Sequence, residues 1–141
     1  MTDTRVERFL TQLNALTSDN VENILPQVYS PEIEFIDPVK SIHTLNEVSA
    51  YFSEMYQGVE HCHFTPRLCI NEQDRYALEW EMNFRHKTLA KGRDIIVDGI
   101  SHLRFQDQHV CYHRDYYDLG ALIYEQVPVL GMIIKKIRHA L

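Results

Sequence analysis

Residues 94–118 read DIIVDGISHLRFQDQHVCYHRDYYD, and this stretch decides the fold. Two runs rich in β-branched and aromatic residues, Asp94–Phe105 and Val110–Asp118, flank the polar link Gln106-Asp107-Gln108. The link is short enough to join neighbouring antiparallel strands. The pattern continues upstream. Val59–Asn71 and Tyr76–Arg85 read as two more strands, with Glu72-Gln73-Asp74 between them and Lys87–Arg93 leading into the next. Strands consecutive in sequence with short links pair as an antiparallel meander.

Helices precede this meander. Val6, Phe9, Leu10, Leu13 and Leu16 recur at helical spacing. Ser18-Asp19-Asn20 breaks that helix and can cap a second, short one bearing Val21, Ile24, Leu25 and Val28, with Pro26 predicted to kink it. Glu32–Ile36 alternates as a short strand ended by Asp37-Pro38. Thr44-Leu45-Asn46-Glu47 spells a capping box, and the helix it opens carries Leu45, Val48, Phe52, Met55 and Tyr56 before Gly58 stops it. Helices first and sheet afterwards predict an α+β fold. A sheet this long curves around its helices as a cone, enclosing a pocket of the kind small ligands use. The expected organisation is one domain over residues 1–118. Residues 119–141 form a C-terminal helical tail packed on the same domain and broken into two pieces by Pro128 and Gly131.

The bulk properties narrow the function classes. The chain has 141 residues, 45% hydrophobic and 24% charged, with a net charge of -6. A free polyanion would meet an unfavourable average field, so no nucleic-acid partner is expected. The odd count of three cysteines, none in a CxxC pair, suggests no disulfide framework. The start of the chain lacks a basic leader and apolar run, and no stretch approaches ~18 apolar residues. A cytoplasmic location is the expectation. No glycine-rich phosphate loop occurs, so no nucleotide cofactor is implied.

Strand parity sorts the side chains. Tyr76, Leu78, Trp80, Met82 and Phe84 share the face expected inside, while Glu79, Glu81, Asn83 and Arg85 share the outer one. Cys111, His113, Asp115 and Tyr117 share one face of the last strand. His61 and His63 are two apart, and Cys69 has their parity. A metal site would need a convergent third ligand, and exposed strand histidines are the ordinary alternative, so no metal is expected. Asp37 before Pro38 has two readings: a turn residue bonding local backbone, or a carboxylate at the mouth of an apolar cone. The tail ends in Lys135, Lys136, Arg138 and His139 beneath an apolar run. It can form a lid, a dimer contact or a peripheral contact with an anionic membrane.

The order helix, helix, strand ending Asp-Pro, helix, four-strand meander resembles the nuclear transport factor 2-like superfamily over roughly residues 5–118. Its relatives include ketosteroid isomerases, SnoaL-like polyketide cyclases and limonene epoxide hydrolases. Tyr29…Phe35-Ile36-Asp37-Pro38 is similar to the segment carrying the general base of ketosteroid isomerases. Gly99–Phe105 resembles the third meander strand of the SnoaL-like group, and His113-Arg114-Asp115-Tyr116-Tyr117-Asp118 resembles the last strand of the epoxide hydrolases and cyclases. The resemblance turns the Asp115 face inward and makes Asp115 catalytic. There are departures. The oxyanion tyrosine of ketosteroid isomerases falls at about Leu13 or Asn14, their second donor falls at Ser101, and the epoxide hydrolases' arginine is missing from Glu79–Asn83.

The resemblance implies a small-molecule pocket protein without cofactor. It would be an acid/base isomerase, cyclase or hydrolase acting on an apolar carbonyl or cyclic compound. Asp37 would serve as base and Asp115 with His113 as a second acid/base pair. Trp80, Met82 and Tyr117 would form apolar walls, with Ser101, Tyr56 and Tyr117 as candidate hydrogen-bond donors to the ligand. A homodimer follows from the family's habit. The alternative is a non-catalytic ligand-binding or protein-interaction module, dimeric through the outer sheet face. The two part on whether Asp37 and Asp115 converge on one cavity.

Overall fold

The computed structural model describes residues 3–141. Helix α1 (Thr4–Asn14) starts at Asp3, whose carboxylate accepts the Arg5 N–H at 2.8 Å, and it buries Val6, Phe9, Leu10 and Leu13. Helix α2 (Val21–Val28) runs through Pro26. The ring nitrogen has no hydrogen to give the preceding turn, and the helix ends two residues later.

Strand β1 (Tyr29–Ile36) is longer than its alternation suggested. It folds back at once into β2 (Ser41–His43), which the sequence reading did not expect. The cause is Asp37: its Oδ1 accepts the N–H groups of Val39 and Lys40, both at 2.8 Å. That turn sets Glu34–Ile36 antiparallel to Ser41–His43. Helix α3 (Leu45–Tyr56) opens at Thr44, whose hydroxyl accepts the Glu47 N–H at 3.4 Å. The Glu47 carboxylate reaches one residue further back than in the standard box and accepts from His43 N–H at 3.3 Å.

The meander is β3 (Val59–Glu72), β4 (Arg75–His86), β5 (Ile95–Gln106) and β6 (His109–Tyr117). All neighbours within it are antiparallel, and β1 joins its far edge parallel to β6, giving the order β2-β1-β6-β5-β4-β3. Residues between β3 and β6 alternate as predicted. Tyr76, Leu78, Trp80, Met82 and Phe84 are buried against the helices. Glu79 and Glu81 lie on the outer face, where Arg67 bridges Glu81 at 2.5 Å and Asp98 at 3.0 Å.

Irregular registers change two parity assignments. One lies between Arg104 and Phe105 opposite β6, and it takes Cys111 out of the His113 face. The Cys111 thiol bonds the Arg104 carbonyl in an outer groove shared with Glu34 and Arg104. Another lies between Pro66 and Leu68 on β3. It turns Cys69 toward the core, away from His61 and His63, which stay exposed outside. A bulge advances one strand by a residue and flips every later side chain relative to simple alternation. The same irregularities bend the sheet into an open cone around α1–α3.

The tail differs from expectation in one respect. A single turn, α4 (Leu119–Leu122), and a short 3-10 turn over Tyr124–Gln126 lead into one continuous helix, α5 (Pro128–Ala140). Pro128 starts that helix, where its missing N–H costs nothing. Gly131 does not break it. It sits where the helix crosses the Glu125 backbone, and any side chain there would overlap the Glu125 carbonyl. Arg138 ties α5 to Asp118 at 2.5 Å and to Glu125 at 3.2 Å. Val129, Met132, Ile133 and Ile137 point to solvent. Among the described residues no helix is long and apolar enough to cross a membrane.

Candidate functional site

Inside the cone lies a cavity of about 440 Å³. The β4 side chains Trp80, Met82 and Phe84 form one wall, and Cys62 and Phe64 of β3 extend it. Helix α3 closes the opposite side with Tyr51, Phe52 and Tyr56. Asp37, at the end of β1, and His113, Asp115 and Tyr117, on β6, complete the lining. Asp37 and Asp115 therefore open onto one cavity.

Gly99 makes room for the largest of these side chains. It faces Trp80 in register on β5, and a Cβ there would overlap the indole ring. The missing side chain lets the indole lie across the strand and reach Ser101.

A line of hydrogen bonds runs behind the cavity wall. Trp80 Nε1–H donates to Ser101 Oγ at 2.8 Å, and Ser101 donates to Asp115 Oδ1 at 2.5 Å. His113 Nε2 meets the same Oδ1 at 2.6 Å, and Tyr29 hydroxyl meets His113 Nδ1 at 2.7 Å. Chemistry fixes the directions from Trp80 to Asp115. Indole N–H can only donate, so Ser101 must spend its hydrogen on Asp115. The Asp115 carboxylate then accepts from both Ser101 and His113 Nε2–H, and in a neutral His113 Nδ1 accepts from Tyr29. Ser101 and His113 are buried, at 3% and 2% exposure. Asp115 Oδ2 has no hydrogen-bond partner among the described residues, and it is the oxygen left for the cavity.

Asp37 is placed differently. Its Oδ1 holds the turn to β2, and its Oδ2 accepts from Tyr51 hydroxyl at 2.7 Å. Both sequence readings of Asp37 describe the same carboxylate: it builds the turn and it lines the cavity mouth. Its lone pairs are largely engaged, so it acts on the cavity through its charge and through Tyr51.

The phenols around these carboxylates stay protonated. Burial raises Tyr29 well above the ordinary phenol value, and the Asp115 charge adds to it. Tyr51 is raised by burial, then by its bond to Asp37. Tyr117 is raised by burial, then by the charges of Asp37 and Asp115. Tyr56 rises through burial and its neighbour Cys62, whose thiol burial pushes up to about 12. Tyr51, Tyr56 and Tyr117 are therefore neutral phenols lining an apolar space, and with the Tyr51 hydrogen given to Asp37, Tyr56 and Tyr117 are the donors open to it.

Of the residues singled out from sequence, Asp37, Asp115, His113, Trp80, Met82, Tyr117 and Tyr56 all line the cavity. Ser101 does not. It lies behind Asp115 with its hydroxyl consumed by Trp80 and Asp115, so it positions rather than meets a ligand. Tyr51 and Cys62 were missed. Tyr51 stands three residues after Val48, on the same side of α3, and helical spacing alone could have flagged it. Leu13, at the position where a ketosteroid isomerase tyrosine would fall, is an apolar lining residue. Asn14 beside it is spent on the backbone of Phe64, donating at 3.0 Å and accepting at 2.8 Å.

Comparison with known proteins agrees with this architecture. No protein of curated function matches the sequence. A hypothetical protein with a ketosteroid isomerase-like fold from Catenulispora acidiphila DSM 44928, solved in complex with trimethylamine, superposes with a TM-score of 0.76. It is 15% identical, over 91% of this chain and 95% of that one. A candidate SnoaL-like polyketide cyclase from Shewanella putrefaciens CN-32 gives 0.72 at 14% identity, covering 91% and 98%. TsrD from Streptomyces laurentii gives 0.71 at 20% identity, covering 93% and 98%. At these identities the likeness is one of fold. The model of the SnoaL-like domain matches residues 6–113, most of the chain and nearly all of the cone. The chain belongs to the SnoaL-like domain family.

Proposed function

We propose that the cavity is a cofactor-independent acid/base site for a small, largely apolar molecule, with Asp115 as the proton-transferring group. One observation carries this reading: Asp115 has Oδ1 fixed by Ser101 and His113 while Oδ2 is left to an apolar cavity. A carboxylate held in one orientation, with a single free oxygen beside a desolvated ligand, is arranged to remove a proton from it. His113 holds the carboxylate through Nε2–H, with Tyr29 behind it; as Asp115 takes the proton, the electron pair of the broken C–H bond stays on the ligand as an enolate. Tyr56 and Tyr117 are the neutral donors for an oxyanion developing on a carbonyl. Asp37 takes the one hydroxyl hydrogen of Tyr51, so that side chain offers the ligand its ring and not a hydrogen bond. The isomerase-type pair of tyrosine and second aspartic acid is absent at its usual positions, so the donors here come from α3 and β6.

The alternative is a binding module that keeps the cone without turnover. Every polar group of the relay except Asp115 Oδ2 is satisfied within the protein, and that favours it. Proton exchange separates the two. 2-Tetralone, a bicyclic ketone of a size the cavity admits, is incubated in D2O and its α-protons are followed by NMR. The acid/base reading expects exchange faster than buffer alone with wild type, and loss of the excess rate with Asp115→Asn. Equal rates for the two proteins remove it.

A further inference from the structure

We infer that the cavity selects an apolar organic cation: a tertiary or quaternary amine on an aromatic or alicyclic frame. This rests on the cavity being the ligand site, as proposed above, and adds the charge of what enters it.

The lining contains two partly buried acids, Asp37 and Asp115, an exposed one, Glu54, at the rim, and no lysine or arginine among the described residues. The two histidines that line it are His86 and His113, and His113 spends its Nε2–H on Asp115. Lys40 stands with its amino group 5.3 Å from the Tyr51 ring centre, but its side chain is exposed, where water screens it. Asp37 and Asp115, partly buried, are screened less than Lys40 or Glu54. Their reach is recorded in the phenols: the charges of Asp37 and Asp115 both help hold Tyr51 and Tyr117 protonated. Those two rings therefore lie within the field of both carboxylates. Burial is the larger cause of those raised phenols and costs any ion; the carboxylate charges are the part that has a sign, and it favours a cation over an anion.

The rings supply the second half of the recognition. Trp80 and Tyr117 sit with ring centres 6.3 Å apart and planes inclined at 52°. Tyr51 and Tyr56 approach from α3. A cation over aromatic faces gains from the ring quadrupole, most when it is shielded from water, as here. The hydrogen-bonding capacity sets the class of nitrogen. Asp115 Oδ2 is the one acceptor the relay leaves free, which suits a tertiary ammonium with one N–H or a quaternary one with none. A primary ammonium would leave two donors unpaired in an apolar space.

The test uses Trp80, the protein's one tryptophan, as the reporter. Its fluorescence is titrated with three probes of like shape and different charge: phenyltrimethylammonium, tert-butylbenzene and benzenesulfonate. The cation is expected to bind about tenfold more tightly than the neutral isostere, and the anion not at all. Asp115→Asn keeps the partners of Oδ1 and removes the charge. It should erase most of that preference while leaving tert-butylbenzene affinity within about twofold, which also reports that the cavity is intact. Asp37→Asn gives the same sign with a smaller effect. Neutral binding with no preference for the cation, or a preference that survives both substitutions, overturns the inference and leaves the acid/base reading standing. Failure of both phenyltrimethylammonium and tert-butylbenzene to perturb Trp80 overturns the cavity as a ligand site altogether.

Discussion

Replacing Ser101 with alanine tests the relay at its narrowest point. The hydroxyl is the only link between the indole of Trp80 and the carboxylate of Asp115, and all three lie in the interior or at its edge. Alanine removes one oxygen and leaves almost no void, so packing contributes little. Two polar consequences remain. Trp80 Nε1–H, on a side chain 2% exposed, loses its acceptor, and an unpaired buried donor costs about 1–3 kcal/mol. Asp115 Oδ1 keeps His113 but loses a short charge-assisted bond. The sum is about 2–3 kcal/mol of stability. With a urea slope of about 2 kcal/mol per molar for a chain of this size, the midpoint should fall by about 1–1.5 M. Urea melts followed by Trp80 emission measure this directly, because the reporter is the orphaned group. Ile100→Thr, a change on the exposed face of the same strand, serves as control and should stay within about 0.5 kcal/mol. A Ser101→Ala midpoint indistinguishable from that control would refute the reasoning. The indole would then have another partner, and the relay would not bind the wall of the cavity together.

Two further outcomes follow from the geometry. Gly99→Ala places a methyl group into the Trp80 ring, so the indole must turn toward the cavity. About 1–3 kcal/mol of stability should be lost and phenyltrimethylammonium binding weakened together, read by urea melts and by titration; unchanged affinity would mean the indole does not need that space. Cysteine labelling tests the burial of the cavity wall. The Cys62 thiol is held up to about 12 by burial, above its ordinary 9.0. A group raised in the folded state favours folding below its unfolded value, and that contribution is lost as pH rises from 9.0 toward 12. At pH 8, iodoacetamide should therefore modify Cys111, which lies in the outer groove, well before Cys62. Peptide mass spectrometry gives the order, and Cys62 reacting first would contradict the burial of that wall.

The local code determined much of this protein. Periodicity placed α1, α2 and α3, because a helix that buries one face must repeat its apolar residues near every 3.6 positions. Alternation and short polar links placed the four meander strands to within a few residues, and with them the inward set Trp80, Met82 and Phe84. Asp37, His113 and Asp115 stood out through resemblance to a known arrangement of residues. What alternation could not deliver were the register shifts at Pro66/Leu68 and Arg104/Phe105. A bulge has no fixed sequence signature, yet each one reverses the face of all that follows, and so Cys111 and Cys69 lie opposite to their simple parity. The short β2 was invisible because its three residues carry no period, and it exists through the turn held by Asp37. Gly131 read as a break in the tail, because whether glycine ends a helix or lets it cross another chain segment depends on what lies beside it. The role of Ser101 was decided in the same way. Its sequence position offered a donor to a ligand, but the approach of Trp80 across Gly99 and of Asp115 from the next strand consumed both sides of its hydroxyl. Which hydrogen bonds a side chain makes depends on groups far away in the chain, and only the folded chain brings those groups together.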